Sequence, residues 1–273
     1  MPVRSEGDRL VRAVICTPGD EYLGVTDTAA HHIGTVADRD ETLRQYGALK
    51  AALETFGCEV IDLHELSGHP NSVFTRDTAV CSHSGFVQVR MGLATRRGEE
   101  EWMAACLASH GVRCSGGIAA PGTVEGGDVI LAGDVAFIGR SGRTNEEGIR
   151  QMAEILRGEG REVRVAAVPV PFLHIGGAMS LVAPRRVLAC RGVFPEGFFR
   201  GFDTLEIECG HYTSGNVICL GDGEIIADAV NSGAIAALES YKLTVHHLDL
   251  GEFSKGLGGP TCLILPAERV PSR

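Results

Sequence analysis

The 273-residue chain lacks a basic run, a long apolar run and a paired-cysteine motif, and each absence removes a class of function. No Lys/Arg stretch with interleaved aromatics occurs, and the formal net charge of −10 repels phosphate backbones, so nucleic acid is not an expected partner. No apolar run approaches the roughly 20 residues needed to span a bilayer. The opening MPVRSEGDRL has no apolar core of the signal-peptide kind, so a cytoplasmic protein without a membrane partner is expected. Nine cysteines are an odd count with no CxxC pair, which suits neither a disulfide framework nor a thiolate zinc site. Cys16, Cys58, Cys81, Cys106, Cys190 and Cys219 fall in apolar runs and read as small core residues. The oligomeric state is left open, a homodimer included.

What the chain does have is 44% hydrophobic residues, enough for one large or two small domains, and a repeating pattern. TAVCSHSGFVQVR, VILAGDVAFIGR, MSLVAPRRVLACRG and NVICLGDGEIIAD each join two short apolar runs through a tight turn, the signature of a β-hairpin. Their starts lie roughly 35 to 50 residues apart, a spacing that indicates internal repeats. Helical stretches follow them: GEEEWMAACLASHG, TNEEGIRQMAEILRGEG, a weaker FPEGFFRGFD, and DAVNSGAIAALESYK. Each leads to a short strand-like run: GVRCSG, EVRVAAVPV, DTLEIEC and LTVHHLDL. A fifth unit forms if TCLILP near the end pairs with VRAVICTPG near the start, followed by the helix ADRDETLRQYGALKAALETFG and the strand CEVIDL. Such pairing closes a ring and removes exposed edges. One α/β domain over residues 1–273, built of five ββαβ units, is expected. A doubly wound fold ranks second, because it needs βαβ alternation without the hairpins.

The repeat brings the polar residues into equivalent positions. Before the first strand of successive units stand Asp77, then Glu125 with Asp128, then His174, then Ser214 with Asn216, then Cys262. Taken singly, Asp77 is a turn residue, the glycines of EGGD a tight turn, His174 a core histidine and Cys262 a core thiol. Those readings leave the shared position unexplained, and acid, His and Cys together are what nucleophilic catalysis needs. Arg96, Arg97 and Arg143 occupy equivalent loops after the second strands, with Thr144 or Asn145 as a helix N-cap. Two guanidiniums suit a ligand carboxylate, and the Asp/Glu end then suits a cation.

Taken together, NSVFTRD, EGGD, GRSGRTNEEGI, LHIGGAMSLV and GGPTC resemble, in order and spacing, the guanidine-modifying enzymes of the pentein superfamily, which include dimethylargininases, arginine deiminases and arginine dihydrolases. The resemblance covers nearly the whole chain. It implies a five-bladed α/β propeller of ββαβ repeats with pseudo-fivefold symmetry. It implies Cys262 as nucleophile, His174 as general acid/base and Glu125 as its orienting carboxylate. Asp77, with Asn71 and Asp128, would belong to the substrate site, and Arg96 and Arg143 would hold the substrate carboxylate. The reaction implied is cleavage of a guanidino C–N bond of arginine or a methylated arginine, through a covalent thiouronium, to give citrulline, with no metal or organic cofactor. Asn71 and Arg76 look like arginine deiminases, where dimethylargininases more often carry acidic residues. Gly176, two residues after His174, stands where deiminases carry Asp, and the compact length and RTNEEG look like a dimethylargininase. Dimethylargininase therefore ranks first, arginine deiminase or dihydrolase second, amidinotransferase third. A non-catalytic pentein binding protein is the alternative of another class.

Overall fold

Turn chemistry punctuates the chain. Between two apolar runs Asp222 and Gly223 both adopt positive φ (52° and 86°), the backbone of a two-residue hairpin turn that Asp-Gly favours. The computed structural model describes residues 3–272 and contains five three-stranded sheets. Strands β1 (Arg9–Thr17) and β2 (Glu59–His64) pair in parallel. The next sheet is β3 (Ala79–Ser82), β4 (Gly85–Gln88) and β5 (Cys114–Gly117), followed by β6 (Val129–Ala132), β7 (Val135–Arg140) and β8 (Glu162–Ala167). Then come β9 (Met179–Ala183), β10 (Arg186–Cys190) and β11 (Asp203–Ile207), and β12 (Val217–Gly221), β13 (Glu224–Asp228) and β14 (Thr244–Leu248). In each of these four sheets the first two strands are antiparallel and the third is parallel to the second. The last strand, β15 (Leu265–Val270), pairs antiparallel with β1, from Arg9 opposite Val270 to Val14 opposite Leu265, with register shifts on either side of Arg12. The two ends of the chain thus make the fifth blade, and the fold is a five-bladed α/β propeller.

Helices cover the outside. The longest, Arg39–Phe56, starts at Asp38, whose carboxylate accepts from the Glu41 N–H, and ends at Gly57 in the left-handed region. It buries Leu49 and Leu53 completely. Truncating either to Ala would cost about 2–5 kcal/mol. The innermost strands β6, β9, β12 and β15 line the propeller axis with Ile130, Met179, Leu181, Ile218 and Pro266.

Two expectations are corrected. FPEGFFRGFD is a run of turns, because Pro195, Gly197 and Gly201 interrupt any helix; Phe194, Phe198, Phe199 and Phe202 instead collect around one another and Phe137, with ring centroids 4.9–5.6 Å apart. Cys190 is not a lone core thiol, since its sulfur is bonded to that of Cys209. Cys16, Cys58, Cys81 and Cys219 are free and buried, and Cys106 is half-buried.

Candidate active site

A short helical turn precedes the innermost strand of several blades and carries the polar residues. Thr75–Thr78 brings Asp77 to the start of β3, Gly126–Asp128 follows Glu125 and leads into β6, Ile175–Ala178 follows His174 and leads into β9, and Pro260–Leu263 carries Cys262 ahead of β15. These turns face one end of the axis, where His174, Cys262, Asn216, Gly127, Gly176, Thr261 and Arg76 line a single cavity.

The EGGD motif has a steric cause beyond turning. A Cβ on Gly126 would stand 2.3 Å from the Arg76 carbonyl oxygen, and one on Gly127 would lie 2.6 Å from Asp77 Oδ1 and 2.8 Å from His174 Nδ1. Two glycines let three blades approach at the site. Gly127 also donates its N–H to Asp77 Oδ1 at 3.2 Å.

Glu125 is fully buried, and every contact it makes favours its charge. His174 Nε2 lies 2.8 Å from Oε2, the Gly92 and Leu93 N–H groups donate to Oε1 at 3.1 and 3.2 Å, and Arg143 reaches both oxygens at 3.2 and 3.3 Å. Burial alone would raise its pKa, but His174, Arg96 and Arg143 hold it well below the usual carboxylate range. The same balance acts on His174: burial disfavours the imidazolium, yet Asp77 (Oδ1 3.6 Å from Nδ1), Asp128 and Glu125 outweigh it and hold the pKa up at about 9. His174 is thus protonated near neutral pH. Cys262 is pushed up to about 11, first by burial and then by the Asp77 charge, opposed by a Gly259 backbone hydrogen bond, Arg76 and Asn216. Asn216 Nδ2 stands 3.9 Å from the sulfur, and its Oδ1 accepts from the Thr261 N–H at 2.8 Å. Burial and the Asp77 charge thus favour the Cys262 thiol, and the surrounding carboxylates favour the His174 imidazolium.

The RTNEEG segment divides its work. Arg143 pairs with Glu125, Thr144 Oγ1 accepts the Glu125 N–H, and Asn145 is the residue that caps the helix Glu146–Gly158 by accepting from the Gly148 N–H. Asp128 was expected to face substrate. Instead it is fully buried, accepting from the Ile175 N–H at 2.9 Å and the Ser141 hydroxyl at 2.5 Å, and so fixes the loop that carries His174.

Arg96 departs furthest from expectation. It donates to Asp77 at 2.6 Å, to Glu99 through two nitrogens at 2.7 and 2.9 Å, and to the carbonyls of Asn71 and Phe74, and it is 2% exposed. Its guanidinium is committed to holding Asp77 in place rather than open to a ligand carboxylate. Arg143 is less committed: among the described residues its second terminal nitrogen hydrogen-bonds only His32 Nδ1, at 3.1 Å. Glu99 and His32 were absent from the expected site. The i,i+3 spacing of Arg96 and Glu99 could have flagged the first, whereas His32 arrives from a loop 111 residues away in sequence and leaves no local signal. Asn71 is buried, and its side-chain oxygen has no hydrogen-bond partner among the described residues.

Donor atoms of Asp77, Glu125 and His174 lie within 4.8 Å of one another, a spacing that suits a metal ion. Their charge is already met, Asp77 by Arg96 and Glu125 by Arg96, Arg143 and the imidazolium, so a divalent cation would enter against three positive groups. The same set is chemically suited to gripping and protonating a group attacked by Cys262.

A family model, arginine deiminase, matches residues 43–183, more than half of the chain. The chain belongs to the arginine deiminase family. The family's dimethylarginine dimethylaminohydrolase of Streptomyces coelicolor is 31% identical over 234 residues, covering 83% of this chain and 86% of that protein. The Pseudomonas aeruginosa enzyme of the same name is 29% identical over 241 residues, covering 88% and 94%. In three dimensions, a cysteine-to-serine variant of the Pseudomonas aeruginosa enzyme bound to citrulline superposes with a TM-score of 0.83 at 27% identity, over 94% of this chain and 99% of that one. The pentein fold expected from the repeats is thereby shown.

Proposed function

We propose that this protein hydrolyses a guanidino C–N bond of arginine or an Nω-methylated arginine to give citrulline, with dimethylarginine as the leading substrate. The observation that carries the reading is the meeting of Cys262 and His174 on one cavity with the Asp77 carboxylate 3.6 Å from the His174 ring, each delivered by a different blade. A guanidinium carbon is a poor electrophile because its charge is spread over three nitrogens, so it must be held in place for attack. Asp77 is the group that holds the cation. Binding a cation beside Asp77 also offsets that carboxylate's share, second to burial, in raising the thiol's pKa, so substrate helps Cys262 to lose its proton to solvent.

The thiolate then forms the S–C bond while His174 gives its proton to the departing amine, dimethylamine from dimethylarginine or ammonia from arginine. The neutral imidazole, still held by Glu125, takes a proton from water as water attacks the thiouronium carbon, and the C–S bond breaks to release citrulline and the thiol. Arg143 is placed to receive the substrate carboxylate, which would replace His32 on its second nitrogen. Two features support the methylated substrate: the resemblance to dimethylarginine dimethylaminohydrolases along nearly their full length, and Gly176, which leaves the cavity wall bare beside Thr261 and Cys262. A second reading, unmethylated arginine, is favoured by Asn71, whose buried side-chain oxygen has no hydrogen-bond partner among the described residues. The deciding experiment offers the purified chain dimethylarginine, monomethylarginine and arginine and measures citrulline together with the released amine. Turnover of dimethylarginine with equimolar dimethylamine is expected; strict use of arginine promotes the second reading, and no citrulline from any of them overturns both.

A further inference from the structure

On the axial side of the cavity, opposite the carboxylates that grip the substrate, lies a buried ion pair that the chemistry above does not use. One terminal nitrogen of Arg76 donates to Glu6 Oε1 and to the Val129 carbonyl oxygen, both at 2.7 Å. Glu6 also accepts the Leu131 N–H at 3.2 Å. The two side chains are 9% and 15% exposed. Arg76 lines both the Cys262 cavity and the axial space beneath it, where Glu6, Arg269, Gly176 and Thr261 also reach. Arg269 donates to the carbonyls of Asp8 and Cys219, and its buried Nε has no partner among the described residues. Arg76 and Arg269 thus line this axial space with Glu6 as the carboxylate among its lining residues, so that its walls carry more positive than negative charge. Above it stand Asp77, Glu125 and the His174 imidazolium, with Asn216 and Tyr212 at the rim.

We propose that Glu6 and Arg76 form a positioning pair that sets the reactivity of Cys262, Arg76 supplying positive charge on the axial side of the sulfur and Glu6 holding back part of it. The idea rests on Cys262 being the nucleophile. It agrees in direction with the lowering effect of Arg76 on the thiol. The two partners act with opposite sign. Glu6→Gln unmasks Arg76 and makes the thiol more acidic, whereas Arg76→Gln removes the cation and makes it less acidic. A pair that merely holds the propeller together would loosen the site in both variants and move both the same way.

The test is iodoacetamide alkylation of the full-length chain from pH 6 to 11, with modification read at the Cys262 peptide by mass spectrometry so that the other thiols do not contribute. Relative to wild type, the midpoint should fall in Glu6→Gln and rise in Arg76→Gln, each by about 0.5–1 unit, or roughly three- to tenfold in rate below the midpoint. Shifts in the same direction, or less than twofold in both, overturn the proposal. If Arg76→Gln does not fold, Glu6→Gln decides alone: a midpoint that stays or rises is a refutation. Turnover of Cys262→Ser separates the two ideas. A dead serine variant with no divergence of midpoints defeats the axial pair only, and an active one defeats the nucleophile on which it rests.

Discussion

Replacing Glu125 by Gln tests the electrostatic core of the site at nearly constant shape. The carboxylate is fully buried, and its Oε2 lies 2.8 Å from His174 Nε2 while Oε1 accepts two backbone N–H groups. In the amide, the oxygen stays with Gly92 and Leu93, so the NH2 group must face His174. Nε2 then has to accept a hydrogen bond, which requires the neutral imidazole. Burial already opposes the charged ring, and only Asp77 and Asp128 remain to counter it. The pKa should drop from about 9 by on the order of 1–2 units. Since the reaction needs the Cys262 thiolate together with the His174 imidazolium, kcat/KM for citrulline formation should rise with pH and level off where His174 loses its proton, and this bend should move down by the same amount. Arg143 also loses its charge partner, and breaking a buried pair costs about 3–5 kcal/mol. For a chain of this size that is a fall of roughly 6–20 °C in thermal midpoint. A pH–rate profile from 6 to 10 with a thermal melt measures both. A bend that stays near 9 in Glu125→Gln would refute its assignment to a carboxylate-held His174.

Other outcomes follow from the same geometry. Cys262→Ser should keep the thermal midpoint and lose several orders of magnitude in turnover, because a hydroxyl is a far weaker nucleophile; a tenth of wild-type rate would exclude the covalent route. Arg143→Ala should raise KM for amino-acid substrates by roughly ten- to a hundredfold more than for simple alkylguanidines, with a lower thermal midpoint because Glu125 loses a cation, whereas Arg96→Ala should cost stability and turnover alike on both substrates, by stranding Asp77 and Glu99. Equal KM effects of the two variants would overturn that division. Gly176→Asp should shift the kcat/KM ratio toward arginine over dimethylarginine by at least roughly tenfold, although its Cβ would lie 3.2 Å from the Gly127 carbonyl oxygen and must be accommodated there. An unchanged ratio would remove Gly176 from specificity. His174, raised from 6.5 to about 9, contributes on the order of 3 kcal/mol that is fully present below pH 6.5 and fades as pH rises through 9; in His174→Asn, chemical denaturation should show that alkaline decline reduced.

How much of this the sequence carried depends on how local each cause is. Hairpin turns and helix caps act over a few residues, and Asp222-Gly223, Asp38 and Asn145 are legible as such. Ring closure is not local, yet it was readable because the terminal strands complete a unit already seen four times. The helix expected at FPEGFFRGFD failed where the repeat's precedent outweighed Pro195, Gly197 and Gly201 in the reading, though not in the chain. Cys209 follows the strand Asp203–Ile207 and bonds to Cys190 of the neighbouring strand, a pairing that no CxxC spacing announces.

The site shows the same division with a further step. Equivalence of the blade junctions brought Asp77, Glu125, His174 and Cys262 together, because a closed ring sends equivalent positions to one end of its axis. It did not reveal which charges face outward. Arg96 and Arg143 stand in equivalent loops and look alike in sequence, but Glu99 follows one of them at i,i+3 and turns it into an internal clamp on Asp77. Arg143 has Glu125 on one nitrogen and His32 on the other, so part of its fork stays exchangeable. Repeat symmetry therefore fixes where a residue sits, and the partners that break the symmetry fix what it does. Asp77 is the clearest case: a turn residue by position, it stands against His174 because a buried arginine holds its carboxylate and Gly127 lets it approach.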